Sequence, residues 1–83
     1  MNFYNYMIKN YLEEDSPKGD LARDMKSDKE DFPKNTVGKF DGWKKLIRKY
    51  LIRKSACPDC IKTFDEAWKE YEECERKRLK RAL

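Results

Sequence analysis

Apolar residues recur along the chain at helical spacing, and no segment shows the strict apolar–polar alternation that is typical of strands. The first predicted helix starts after Asn2, a favourable cap, and its apolar stripe ends before the acidic run 13–15. The second has Ser16 as its cap and Pro17 in its first turn, and it ends near Asp28. The first third of the chain is therefore predicted to form two short helices.

The third predicted helix, from about Asp41 to Arg53, has an apolar side and a basic side. At about 100° per residue, its large apolar side chains fall within one arc and its cations within the opposite arc. The apolar set is Phe40, Trp43, Leu46, Ile47, Tyr50 and Leu51. The basic set is Lys44, Lys45, Arg48, Lys49 and Arg53. Ile52 falls within the basic arc, so either the helix frays before it or an apolar side chain is displayed among the cations.

The last predicted helix has the longest apolar stripe of the chain. Pro58 suits its first turn, where a missing N–H costs nothing. A capping box at 63–66 offers a later start, but the stripe continues upstream of it and favours the start at Pro58. The stripe consists of Cys57, Cys60, Ile61, Phe64, Ala67, Trp68, Tyr71 and Cys74. Trp43 and Trp68 each lie in the middle of a stripe, so both are predicted to be largely buried.

Between the second and third helices, residues 29–39 are predicted to form an ordered loop. The proline after Phe32 disfavours helical backbone there, and Phe32 is expected to anchor the loop in the core. Four helices and no credible strand predict an all-α chain. A length of 83 residues leaves room for one domain, 1–83, whose residues 76–83 are predicted to be a basic helical tail.

The composition limits the chemistry that this domain can perform. Lys and Arg number 20 against 16 Asp and Glu, a net charge of +4, and His is absent. Without His there is no Ser-His-Asp triad and no His-ligated metal, and a small core leaves no room for a wide enclosed cavity. We therefore expect no enzyme activity, no cofactor and no small-molecule substrate.

The localisation expected from the sequence is cytoplasmic. No segment approaches the roughly 18 apolar residues that span a membrane, and residues 1–14 lack the basic start and the apolar run of a signal peptide. Three cysteines, an odd number, argue against a disulfide framework, because the cytosol keeps thiols reduced. Free, partly buried thiols and no membrane association are the expectation.

Two patterns suggest special chemistry but have simpler interpretations. Cys57 and Cys60 have the spacing of a zinc half-site or a redox pair. However, Cys74 lies about four helical turns away and no βαβ unit surrounds the motif, so structural thiols are favoured. The acidic groups at 13–15 and 70–75 are interpreted as solvated faces, because no pocket or Gly-rich loop accompanies them.

Several short motifs follow one another in a characteristic order. They are Phe3-Tyr4-Asn5-Tyr6, Leu21-Ala22, Phe32-Pro33-Lys34, Tyr50-Leu51 and Phe64-Asp65-Glu66-Ala67-Trp68 with Tyr71. Over about residues 2–72 this order resembles the YozE-like proteins, short bacterial proteins with a fold similar to the sterile alpha motif (SAM) domain. The resemblance implies a four- to five-helix, SAM-like bundle from a Gram-positive bacterium or one of its mobile elements. It implies no activity, and the basic third helix and the Cys57–Cys60 motif depart from the family pattern.

The basic face of the third helix is the candidate binding surface. Residues 36–54 carry seven cations and one acid, and their net charge of +6 exceeds the +4 of the whole chain. Cations clustered on one face attract phosphates through counterion release, so nucleic acid is one expected partner. The candidate contacts are Lys44, Lys45, Arg48, Lys49 and Arg53. The alternative is a protein-interaction or self-association module, in which Ile52 and its basic surroundings meet an acidic protein partner or a second copy. A third possibility is that these cations only keep the protein soluble.

Overall fold

The structure, a computed structural model, describes residues 1–34, 40–54 and 57–82, and within them the chain is helical with no strand. The helices are, in chain order, α1 (Phe3–Tyr11), α2 (Pro17–Ser27), α3 (Phe40–Arg53) and α4 (Pro58–Ala82). All four predicted helices are confirmed, and α3 begins one residue earlier than predicted. The predicted loop is described only as far as residue 34, and its continuation over 35–39 lies outside the described residues.

The caps predicted for α1 and α2 are confirmed. Asn2 Oδ1 accepts a hydrogen bond from the Asn5 N–H at 2.7 Å, and Ser16 Oγ accepts one from the Gly19 N–H at 3.1 Å. Gly19 is buried where α2 passes the end of α1, and a Cβ atom on it would lie 1.8 Å from the carbonyl oxygen of Glu14. The two helices therefore meet at a corner that has no space for a side chain.

An aromatic cluster on α4 forms the centre of the core. Trp68 is 1% exposed, which confirms its predicted burial. Its ring centroid lies 5.0 Å from that of Phe3 and 5.1 Å from that of Tyr71. Phe3 also meets Phe64 edge to face at 5.5 Å, so this cluster joins α1 to α4. The buried indole Nε1 of Trp68 has no hydrogen-bond partner among the described residues, although buried polar groups normally have one.

Phe32 anchors the segment after α2, as predicted. The side chain is 4% exposed, and its ring centroid lies 5.4 Å from that of Tyr50 and 6.0 Å from that of Tyr4. The Tyr50 hydroxyl also donates a hydrogen bond to a carboxylate oxygen of Asp28 at 3.3 Å. The end of α2, the start of the loop and the last turns of α3 are thus tied together.

The apolar stripe of α4 ends differently from the prediction. The spacing places Cys74 in the stripe, but Cys74 is exposed. The acidic run predicts a solvated face for Glu75, but Glu75 is 2% exposed. Arg78 donates to Glu75 Oε2 at 2.8 and 3.0 Å, and the amino group of Met1 lies 3.5 Å from Oε1. The Tyr71 hydroxyl also donates to the Met1 carbonyl at 2.8 Å. Two cations near one carboxylate offset the cost of its desolvation, which allows Glu75 to be buried.

A second carboxylate from the same acidic run also makes tertiary contacts. Glu70 is half-buried, accepts a hydrogen bond from the Tyr11 hydroxyl at 2.5 Å and forms an ion pair with Lys18. Burial acts to raise the pKa of Glu70, but the Lys18 and Tyr11 hydrogen bonds and the Lys18 charge lower it overall. Burial and the bond to Glu70 raise the pKa of Tyr11. The prediction of a solvated face is therefore wrong for Glu70, which links α1, α2 and α4.

Candidate nucleic-acid interface

One side of α3 packs against α4, and the two helices run antiparallel. The ring of Phe40, at the start of α3, lies 6.3 Å from that of Tyr71. Two turns later, Arg48 Nε lies 3.5 Å from Asp65 Oδ1, nearer the start of α4. The buried side chains of α3 are Phe40, Ile47, Tyr50 and Leu51. These contacts fix which face of α3 remains open.

The arc of α3 that faces the core is narrower than predicted. Trp43 is half-buried instead of largely buried, and Leu46 is 45% exposed although its position falls within the apolar arc. Both residues lie at the edge of that arc, and α4 covers the part centred on Ile47. The sequence defines the apolar arc, but the neighbouring helix decides how much of it is covered.

The structure places the five candidate cations on the open side of α3. Lys45, Arg48, Lys49 and Arg53 are exposed, and Lys44 is half-buried. The helix continues through Arg53, so it does not fray before Ile52, whose side chain is 54% exposed. Of the two alternatives for Ile52, the displayed side chain is therefore the correct one.

Ion pairing and exposure together divide these cations into two groups. Lys44, Lys45 and Arg48 border a shallow depression that also contains the carboxylates of Asp41 and Asp65. The buried Oδ1 of Asp65 has no hydrogen-bond partner in the described part of the chain, and Arg48 at 3.5 Å is its counter-charge. Lys44 is half-buried, and the three remaining cations are exposed and form no ion pair with a carboxylate among residues 1–34, 40–54 and 57–82. That group, the outer row, consists of Lys45, Lys49 and Arg53.

Asp65 is the residue of this surface that the sequence interpretation missed. In the sequence Asp65 is part of the Phe64–Trp68 motif, and nothing in that motif assigns it a role on the basic face. The salt bridge to Arg48 depends on the antiparallel packing of α3 and α4, which apolar spacing within each helix does not specify. The sequence contains only an indirect signal of this salt bridge, namely that Asp65 is an acidic residue at the edge of the apolar stripe of α4.

The predicted basic tail is helical as far as the structure describes it, with position 83 outside the described residues. Residues 76–81 are exposed, so this part of α4 projects beyond the core. Its first residue, Arg76, lies over the Phe40 ring at 4.9 Å and 3.4 Å from a Glu72 carboxylate oxygen. Arg76 and Arg78 therefore have structural partners, while Lys77, Lys80 and Arg81 are exposed.

The cysteines are more accessible than expected. Cys57 and Cys74 are exposed, and only Cys60 is half-buried. Among the described residues, no three Cys, Asp or Glu side chains are grouped so that they could hold a metal ion. No helix in the same part of the chain is both long enough and apolar enough to cross a membrane.

The described helices define a small all-α bundle whose aromatic core is centred on its last helix. The chain matches the family described as YozE SAM-like fold over residues 2–73, and it belongs to this family. The resemblance and the fold inferred from the short motifs are thereby confirmed. The match ends before the basic tail. Comparison with the curated proteins and with the solved structures found no match to this chain.

Proposed function

We propose that this protein is a small, non-enzymatic module that binds nucleic acid through α3 in the bacterial cytoplasm. The observation that carries the proposal is the outer row, Lys45, Lys49 and Arg53, which is exposed and has no ion pair among the described residues. At about 1.5 Å per residue the row spans about 12 Å. Phosphates of one strand follow at about 3.4 Å along a duplex axis, so the row can reach about three of them.

The two groups of cations contribute unequally to this proposal. Asp65 offsets the charge of Arg48, and Lys44 is half-buried, whereas the outer row is exposed and forms no ion pair among the described residues. Each phosphate contact contributes about −0.9 to the log–log slope of affinity against salt for duplex DNA and about −0.7 for single strands. We therefore expect a slope of about −2 to −3, which is less steep than five full contacts would produce.

Charge reversal tests this proposal. The variant K45E/K49E/R53E should lose measurable binding to mixed-sequence single-stranded and duplex oligonucleotides in a filter-retention assay at low salt. Its circular dichroism should stay helical, because these side chains point away from the core. The matched control is K9E/K26E/K29E, which changes net charge equally at exposed positions outside α3. Lys9 and Lys26 also lie in last helical turns, as Arg53 does, so both variants oppose helix dipoles.

Two results would contradict the proposal. One is equal loss of binding in both variants, which would indicate attraction by net charge alone. The other is wild-type affinity weaker than about 1 mM at low salt, below ordinary non-specific binding. In either case nucleic acid is removed as the ligand of α3.

Asp65 offers a test in the opposite direction. The substitution Asp65→Asn removes the counter-charge of Arg48 and leaves the side-chain shape almost unchanged. We expect nucleic acid to bind a few-fold more tightly, with a salt slope steeper by up to about 0.9, because Arg48 becomes available to one more phosphate. An unchanged slope would mean that Arg48 takes no part in binding. The measurement is the same salt titration, with Asp59→Asn as an exposed control on α4.

The exposed apolar side chains of α3 favour a second candidate function, interaction with an acidic protein or with a second copy of the chain. Leu46 is 45% and Ile52 54% exposed, and on the helical wheel they flank the outer row. Apolar side chains beside charges are the usual arrangement of a protein interface. Sedimentation velocity of the wild type and of L46S/I52S tests self-association: a concentration-dependent dimer that the double variant abolishes would support it.

A further inference from the structure

Two thiols lie together at the start of α4. Cys57 immediately precedes the first helical residue, and its carbonyl oxygen accepts a hydrogen bond from the Ile61 N–H at 3.1 Å, so Cys57 is the N-cap. Cys60 follows in the first turn, half-buried and packed against the core. The pair thus combines one thiol that solvent reaches freely with one that the fold holds in place.

Both thiols line the same cleft. It has a volume of about 430 Å³ and lies between α2, the end of α3 and the start of α4. Asp24, Tyr50 and Lys54 are also among its lining residues, so it has apolar and charged walls. A small disulfide-containing molecule can therefore approach Cys57 and Cys60 from one side.

The position of Cys57 also makes a bond between the two sulfurs feasible. Side chains three residues apart within a helix have Cβ atoms about 5–6 Å apart. A disulfide needs Cβ atoms about 3.5–4.5 Å apart, so a pair inside a helix does not close without distortion. Cys57, however, precedes the helix, and its backbone dihedral angles are not constrained to helical values. Only this cap residue has to adjust, while α4 remains intact from Pro58 onward.

We propose that Cys57 and Cys60 form a reversible dithiol–disulfide site that reacts with low-molecular-weight disulfides of the glutathione type. In the first step the Cys57 sulfur loses its proton to solvent and attacks one sulfur of glutathione disulfide. This step forms a mixed disulfide and releases one glutathione thiolate. The Cys60 sulfur then loses its proton and attacks the Cys57 sulfur, which closes the protein disulfide and releases the second glutathione. The protein loses two protons and two electrons, and one glutathione disulfide is reduced to two glutathiones.

The surroundings assign different roles to the two sulfurs. Cys57 is exposed and is the sulfur that an incoming disulfide reaches first. Burial raises the pKa of Cys60, and the neighbouring Cys57 and Asp24 raise it further, so Cys60 keeps its proton in the resting state. Cys60 therefore acts as the resolving thiol. Cys74 is exposed as well, but it lies about 21 Å along α4 from Cys60 and is a built-in control for an isolated thiol.

The experiment uses the full chain equilibrated in glutathione redox buffers, followed by acid quenching, alkylation and mass spectrometry. In a buffer with tenfold more reduced than oxidised glutathione, an isolated thiol such as Cys74 should carry glutathione in about a tenth of the molecules. Closure of the protein disulfide releases two glutathiones, so its extent also depends on the absolute glutathione concentration; with about 1 mM reduced and about 0.1 mM oxidised glutathione we expect more than half of the molecules to contain the Cys57–Cys60 disulfide, with the mass of two hydrogens lost. Peptide mapping distinguishes the two products, and Cys74→Ser removes the third thiol without affecting the result.

Single substitutions test the order of the steps. In the Cys74→Ser background, adding Cys60→Ser should stop the reaction at a glutathione adduct on Cys57, and adding Cys57→Ser should slow the reaction at least tenfold. Asp24→Asn should accelerate the closing step, because the negative charge of Asp24 disfavours the thiolate form of Cys60 that attacks Cys57. The proposal is overturned if Cys57 and Cys60 carry only mixed disulfides at the level of Cys74, or if disulfides form only between molecules. Circular dichroism of each variant ensures that a folded protein is compared. The inference does not depend on the basic face of α3.

Discussion

Gly19 and Gly42 lie in helices of similar length, α2 with 11 residues and α3 with 14, but in opposite surroundings. A Cβ atom on Gly19 would meet the Glu14 carbonyl oxygen at 1.8 Å, whereas one on Gly42 would meet nothing within 4 Å. The same contrast extends along both helices. At its start α2 is fitted closely against the end of α1, while α3 leaves an outer face of cations and apolar side chains to solvent. The closely packed part specifies the fold, and the open part is where a ligand can bind.

The two tryptophans should show the largest difference between these regions. Trp68→Ala removes the centre of the aromatic cluster and should lower the free energy of unfolding by about 3–5 kcal/mol. Trp43→Ala, at the half-buried edge of α3, should cost less than half of that, because less area leaves the core. Urea denaturation followed by circular dichroism measures both values. Equal losses would show that the edge of α3 belongs to the core as fully as α4 does.

A conservative substitution at Trp68 separates the ring from its polar atom. Trp68→Phe keeps an aromatic ring but removes the Nε1–H group, which has no hydrogen-bond partner among the described residues. Leaving such a group buried costs about 1–3 kcal/mol, and its removal offsets part of the cavity that the smaller ring creates. We therefore expect Trp68→Phe to retain most of the stability lost in Trp68→Ala. A loss as large as that of the alanine variant would indicate that Nε1 has a partner.

The glycines allow the same substitution to be compared in both regions. Gly19→Ala forces a methyl group into the α1–α2 corner and should destabilise the protein by about 1–3 kcal/mol. Gly42→Ala should stabilise it by about 0.5–1 kcal/mol, because alanine favours helix and space is available. Thermal unfolding of the two variants should therefore shift in opposite directions. A shift in the same direction would contradict the contrast between the corner and α3.

The smallest expected effect concerns pH and the contact of Tyr11 with Glu70. The folded state raises the pKa of Tyr11, so the bond contributes fully below the usual tyrosine value of about 10 and is lost as pH rises above it. The pKa of Glu70 is lowered, so its contribution is present above about pH 4.3 and is lost as pH falls. Tyr11→Phe should flatten the alkaline decrease of the melting temperature, and Glu70→Gln should flatten the acid decrease. Profiles parallel to the wild type would mean that the contact does not stabilise the fold.

Local signals in the sequence were sufficient for most of the fold. The caps at Asn2 and Ser16 and the start at Pro58 depend on residues within one turn, and all three were predicted correctly. Phe32 was also recognised, because an aromatic residue before proline stands out in a polar segment. Such features need no knowledge of distant parts of the chain.

The errors concern residues whose surroundings come from distant segments. Glu75 is buried because the amino group of Met1 reaches it from the other end of the sequence, in addition to the nearby Arg78. Leu46 is exposed because α4 covers only part of the apolar arc of α3. The five cations of the candidate site were found from their spacing, but the ion pair that sets Arg48 apart depends on Asp65. Tertiary contacts of this kind are not encoded in helical periodicity.

The unequal burial of the two indoles has a spectroscopic consequence. Trp68, shielded from water by aromatic rings, should emit at short wavelength and resist aqueous quenchers such as iodide. Trp43, at the edge of the open face, should emit further to the red and be quenched readily. A ligand that settles on α3 would alter the second component alone, while unfolding would alter both. Intrinsic fluorescence of the unlabelled protein can therefore separate occupancy of this surface from loss of the fold.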